Sequence, residues 1–129
     1  MAKDLDRAVG VLGPLEGRIM RAVWTGQVGD TFVVRDVGAL LPELAYTTVM
    51  TTLRRLAEKG LLSAQAIPGQ KAYVYQIAAT PEQALSEASR RETAEVVDRY
   101  GDAALAAFAA RLDELSPEQR RRLDELRSK

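Results

Sequence analysis

At Thr80-Pro81-Glu82 the chain changes character, and that change restricts what it can fold into. Threonine can cap a helix, proline suits the first helical position, and an acid favours the positive end of the helix dipole. From there to Ser128 every segment reads as helix, with breaks at Gly101-Asp102 and Ser116-Pro117-Glu118 that give pieces near 81–100, 102–114 and 116–127. The apolar residues of these pieces are too few to close a core among themselves. Small units of this kind need disulfides, a metal or a second copy, and the chain has no cysteine. Pairing with a second copy is therefore expected through Val96, Val97, Tyr100, Leu105, Phe108, Leu112, Leu123 and Leu126. The competing arrangement folds the same helices back onto the residues before Thr80.

The first 79 residues are patterned differently. In LGPLEGRIMRAVW, apolar residues at 15, 19, 20, 23 and 24 mark one face of a helix, with Pro14 in its first turn. TFVV (31–34) is too short for more than an edge strand. VRDVGALL has Val34, Val37, Leu40 and Leu41 at helical spacing, and Pro42 stops it. A second helix follows at 46–59, with Val49, Leu53, Leu56 and Ala57 as its apolar stripe and Gly60 at the left-handed position after its end. Residues 61–67 and 72–77 then read as two strands around PGQK, joined at one edge by 31–33.

Composition narrows the chemistry. Hydrophobic residues make up 47% and charged residues 28%, the ordinary range for a folded domain. No apolar run reaches the about 18–20 residues that cross a bilayer, and MAKDLDRAVGVLGP lacks the pattern of a secretory leader. A cytoplasmic protein without direct membrane binding is expected. Histidine is absent as well as cysteine, which removes the commonest general base and the usual soft metal ligands. No nucleophile elbow, phosphate loop or dinucleotide fingerprint occurs. The nearest carboxylates for a hydrolase, Asp98, Asp102 and Asp113, fall on helices where acids usually form a solvated face. No enzyme, cofactor or metal is expected.

The order helix, short strand, helix, helix, strand, turn, strand is that of a winged helix-turn-helix. A recognition helix presents its N-terminal side chains to base edges, so these must be short or polar. Threonine offers a methyl to thymine and a hydroxyl to a base edge or phosphate. AYTTVMTTLRRLAEKG places Tyr46, Thr47, Thr48, Thr51 and Thr52 first and Arg54 and Arg55 after them, where cations reach phosphates. Lys71, at the tip of the hairpin, can follow a phosphate too. Net charge is zero, but Leu44 to Tyr75 carries four basic residues against one acid. The alternative is a winged-helix protein–protein module without DNA-binding activity, with the threonine face meeting a partner protein.

YTTVMTTLRRLAEKGLL, followed by a wing that ends in AYVY, resembles the penicillinase-repressor family of bacterial regulators (the BlaI/MecI/CopY group). LGPLEGRIMRAVW and VRDVGALL resemble the family's first two helices, and the later segments match it in layout. The resemblance implies a mainly α protein with a small antiparallel β-hairpin wing. A winged helix DNA-binding domain would occupy 1–79 and a three-helix dimerisation domain 80–129. It implies a homodimeric repressor on inverted-repeat operators, controlling β-lactam or cell-envelope stress genes. By position, Thr47, Thr48, Met50 and Thr51 would read bases, with Tyr46, Arg54, Arg55, Lys71 and Tyr73 on the DNA backbone. Met50 stands where some members carry arginine and cannot make the bidentate guanine contact. Without cysteine the chain cannot follow the copper-responsive branch, which leaves the BlaI-like branch. That branch is inactivated by a membrane sensor-protease, and the matching bond falls near Ala107-Phe108. Alanine here replaces a polar residue, and Phe108 reads more readily as dimer core.

Overall fold

The computed structural model describes residues 2–128. Along them run α1 (Ala2–Gly10), α2 (Pro14–Trp24), β1 (Thr31–Phe32), α3 (Val34–Leu40), α4 (Tyr46–Glu58), β2 (Leu62–Ala66), β3 (Tyr73–Ile77), α5 (Pro81–Tyr100), α6 (Asp102–Asp113) and α7 (Pro117–Arg127). The chain is mainly α with a small antiparallel sheet, and element ends differ from the sequence reading by one or two residues, where helices and strands fray.

Helix α1 has no counterpart in the sequence reading. A nine-residue helix is marginal on propensity alone, and this one is held by its neighbour. Ala8 is fully buried, and Asp6 pairs with Arg21 of α2 at 3.0 Å. Gly17 lets the two helices approach closely: a Cβ there would sit 3.0 Å from the backbone oxygen of Val9.

The chain divides into two compact units, Met1–Ala88 and Ser89–Lys129, with the boundary inside α5. In the first, α2, α3 and α4 pack around one core. Ile19, Met20, Val37, Val49, Leu53, Leu56 and Leu62 contribute its largest fully buried side chains. The sheet closes one side in the order β1-β3-β2, both pairings antiparallel. Phe32 of β1 lies opposite Tyr75 of β3, their ring centroids 6.1 Å apart. Only part of the hairpin is covered: Leu62 and Tyr75 are buried, whereas 63–66 are exposed. The outer hairpin therefore projects from the core as a wing. Its tip turns at Pro68-Gly69, closed by the Gln70 N–H donating to the Ile67 carbonyl at 3.1 Å.

Three polar contacts fix the frame around α4. The Lys59 ammonium, at the end of α4, donates to the largely buried Glu16 carboxylate of α2 at 2.7 Å. Gly60 follows with φ +81°, and the Leu61 N–H returns to the Leu56 carbonyl at 3.0 Å. The Trp24 indole donates to the Ala79 carbonyl at 2.9 Å, fastening the end of α2 to the segment before α5. Thr80 and Gln83 then cap α5 reciprocally, each accepting the other's backbone N–H.

The second unit is built differently. Among its described residues only Ala104 is buried, and its helices pack little against one another. Ser116 and Gln119 form a capping box at the start of α7, and the Arg120 guanidinium donates to the Leu112 carbonyl at 2.9 Å. Val96, Tyr100, Leu105, Phe108, Leu112 and Leu126 are exposed, and Val97 and Leu123 half-buried.

Leu53 is fully buried where α4 meets the core. Leu53→Ala is expected to destabilise the protein by about 2–5 kcal/mol, read as a lower urea midpoint at fixed protein concentration.

Candidate nucleic-acid interface

Helix α4 is oriented by what it buries. Val49, Leu53 and Leu56 have no exposed surface, and their spacing fixes the opposite face as Thr47, Thr51 and Arg54, all exposed. Thr48 is half-buried and shares a flank with the exposed Arg55, seven residues on. Thr52 belongs to the inner side. It is buried, and its hydroxyl donates to the Thr48 carbonyl at 2.7 Å, one turn back. Of the five hydroxyl side chains that open the helix, this one is spent inside the fold. Ala45, the N-cap, offers no side-chain acceptor, so the first amides of α4 are not capped by a side chain.

The other flank of α4 carries Tyr46, Met50 and Arg54 at four-residue spacing, facing the wing across a cleft of about 330 Å³. Tyr46 and Tyr73 stand at its edge, 62% and 49% exposed, while Tyr75 is buried. Met50 is half-buried and packs against the core. Arg35 and Val34, at the start of α3, and Lys71, in the hairpin turn, complete the walls.

Arg35 and Tyr75 were not singled out by sequence reasoning as site residues. A signal for Arg35 existed: a cation in the first turn of a helix opposes the helix dipole, so its place there calls for another role. Tyr75 read only as one residue of the strand at 72–77, in which it is the buried one.

The cleft gathers three cations and no acid. Arg35, Arg54 and Lys71 take part in none of the ion pairs among the described residues. A more open groove of about 470 Å³ runs along α1 and α2 to Leu40 and Leu41, and Arg18 and Arg21 line it. Those two are neutralised, Arg18 by Glu43 at 2.8 Å and Arg21 by Asp6. The bond from Arg18 holds the Glu43 carboxyl below its usual range. Within the cleft, burial pushes the Tyr75 hydroxyl above its ordinary value of 10.0, and the nearby Arg54 charge acts in the other direction.

The residues assigned to the pairing of two copies lie in the second unit. Ala107 and Phe108 sit in the middle of α6, in regular helix, both exposed. Cleavage between them would require that turn to unwind first.

The sequence profile described as "Penicillinase repressor" matches residues 12–129. The chain belongs to the penicillinase repressor family. Its α1 lies ahead of the matched residues. A crystal structure of a transcriptional regulator superposes with a TM-score of 0.52 at 22% identity, over 98% of this chain and 85% of that one. A possible transcriptional regulator from Methanosarcina mazei Go1 gives 0.48 at 17% identity, over 78% and 88%. A mutant of MarR from E. coli, complexed with operator DNA, gives 0.46 at 10% identity, over 98% and 81%. No curated protein sequence matches the chain. Family and fold together make this a transcriptional regulator of the winged-helix type.

The pKa of Tyr75 yields a pH dependence. Its hydroxyl is raised in the folded state, so its contribution to stability is complete below the unfolded value near 10.0 and is lost as pH rises through the folded value. Urea unfolding between about pH 8 and about pH 11 is expected to show falling stability, and Tyr75→Phe to remove part of that fall.

Proposed function

We propose that the protein is a sequence-specific DNA-binding repressor that acts as a homodimer on inverted-repeat operators. The observation that carries this reading is the outer face of α4, where Thr47, Thr51 and Arg54 are uncovered at the helix's N-terminal half and centre. Thr47, Thr48, Thr51 and Met50 would address base edges, although Met50, half-buried, would reach them from the side of the groove. Short side chains let the helix backbone come close to the groove floor. The uncapped amides of α4, together with Tyr46, Arg54, Arg55, Lys71 and Tyr73, would hold flanking phosphates.

DNA binding is assigned to residues 1–79 and dimerisation to 80–129. The support for dimerisation is the second unit's lack of a core of its own: Leu105, Phe108 and Leu112 are exposed along one helix. Two copies that cover these residues would set their α4 helices in successive major grooves, with half-site centres about 34–36 Å apart. Each half-site holds little energy alone, so the dimer supplies the affinity. Family membership supports β-lactam or cell-envelope stress genes as targets, and relief through a membrane sensor-protease that cuts near Ala107-Phe108.

Mobility shifts with the promoter fragments nearest the gene test the reading. Arg54→Glu with Arg55→Glu is expected to weaken binding roughly 10-fold or more, with the dimer intact by sedimentation. Unchanged DNA behaviour would instead favour a protein-binding module. Separately, Leu105→Glu with Phe108→Glu is expected to shift the protein from dimer to monomer in sedimentation, and to weaken the shift of full operators more than that of half-sites.

A further inference from the structure

Three of the chain's four tyrosines, Tyr46, Tyr73 and Tyr75, meet in the single cleft between α4 and the wing. Three cations, Arg35, Arg54 and Lys71, line the same space, and no acid does. None of those cations is in an ion pair among the described residues. Contact with DNA phosphates would account for cations at the rim. It does not by itself account for the apolar side chains of Val34 and Ile67 that line the same recess. At about 330 Å³ the recess lies at the lower end of the roughly 300–1,000 Å³ typical of small-molecule sites. Aromatic side chains, a thioether and guanidinium groups in one lining together suit a flat ring that carries a negative charge.

We propose that this cleft is an effector site for a small aromatic carboxylate, and that its occupation competes with DNA. The ring lies between the tyrosines and Met50, and the carboxylate takes the Arg54 guanidinium. Arg54 and Tyr73 are then withheld from phosphates, and the ligand occupies the wing side of α4. Bound ligand lowers DNA affinity, and by linkage bound DNA lowers ligand affinity by the same factor. The regulatory half of this inference rests on the DNA-binding reading above; the binding half does not.

Methionine-methyl NMR of the full chain separates the two. Met50 lines the cleft, while Met20 is fully buried in the core and serves as the internal reference. Sodium benzoate is expected to move the Met50 methyl saturably with a Kd of about 1 mM, what so small a ring can reach, and to leave Met20 in place. Benzamide, the same ring without the charge, should need at least roughly 10-fold more. Arg54→Gln should abolish the benzoate shift with the Met20 signal unchanged, which reports an intact core. In mobility shifts, benzoate should release operator DNA over the concentration range that moves Met50.

No saturable shift by about 10 mM benzoate overturns the site. So does an equal response to inorganic phosphate, which would make the cleft a phosphate contact only. A Met50 shift without any release of bound DNA overturns the competition. If benzoate binds but no DNA fragment does, the DNA-binding reading fails and the site stands. If DNA binds and benzoate does not, the site fails and that reading stands.

Discussion

Everything at the candidate interface depends on the burial of three side chains, Val49, Leu53 and Leu56, against α2, α3 and β2. Full burial of such side chains contributes about 1.5–3 kcal/mol each, enough to offset the mediocre helix propensity of a threonine-rich first half. The stripe also sets the helix's rotation. With the inner face fixed, Thr47, Thr51 and Arg54 have nowhere to point but outward, and Tyr46, Met50 and Arg54 must face the wing. Lys59 on Glu16 and the turn at Gly60 fix the far end of the same helix and launch β2 from a defined place. Orientation, not propensity, makes the helix a presentable surface.

Charge is sorted in the same unit. On α2, Arg18 is matched with Glu43 and Arg21 with Asp6, and Lys59 is matched with Glu16. Arg35, Arg54 and Lys71, toward the wing, are in none of the ion pairs among the described residues. On a chain whose net charge is zero, this sorting creates a local positive field that the total conceals. The second unit shows an analogous imbalance in hydrophobicity. Leu105, Phe108 and Leu112 are exposed, and the polar contacts that organise its helices, the Ser116–Gln119 box and Arg120 on the Leu112 carbonyl, are local.

Much of this was legible in the residues. The Pro42 stop, the Gly60 turn, the stripe of α4, the edge strand at 31–32 and the Thr80 cap each rest on local chemistry, and each is found within a residue or two. What was not legible depends on contacts between distant segments. Helix α1 is too short to announce itself and exists because Ala8 and Val9 dock on α2 at Gly17. Thr52 looked like its neighbours in sequence, yet it lies beside the core stripe and satisfies its hydroxyl on its own helix. Nor does spacing along the chain show that three tyrosines from two elements converge in one cleft.

The sequence by itself determined the helices from α2 onward, the hairpin, the family and the chemical inventory: no thiol, no imidazole, hydroxyls ahead of arginines on one helix. Those follow from spacing and residue type, which act over one or two turns of chain. Only the tertiary structure decided which hydroxyl is buried, which cations are neutralised and which stay free, and that Tyr46, Met50, Arg54 and Tyr73 share one cleft. Pairing and burial are properties of neighbours brought together across the fold, and residue spacing along the chain does not encode them.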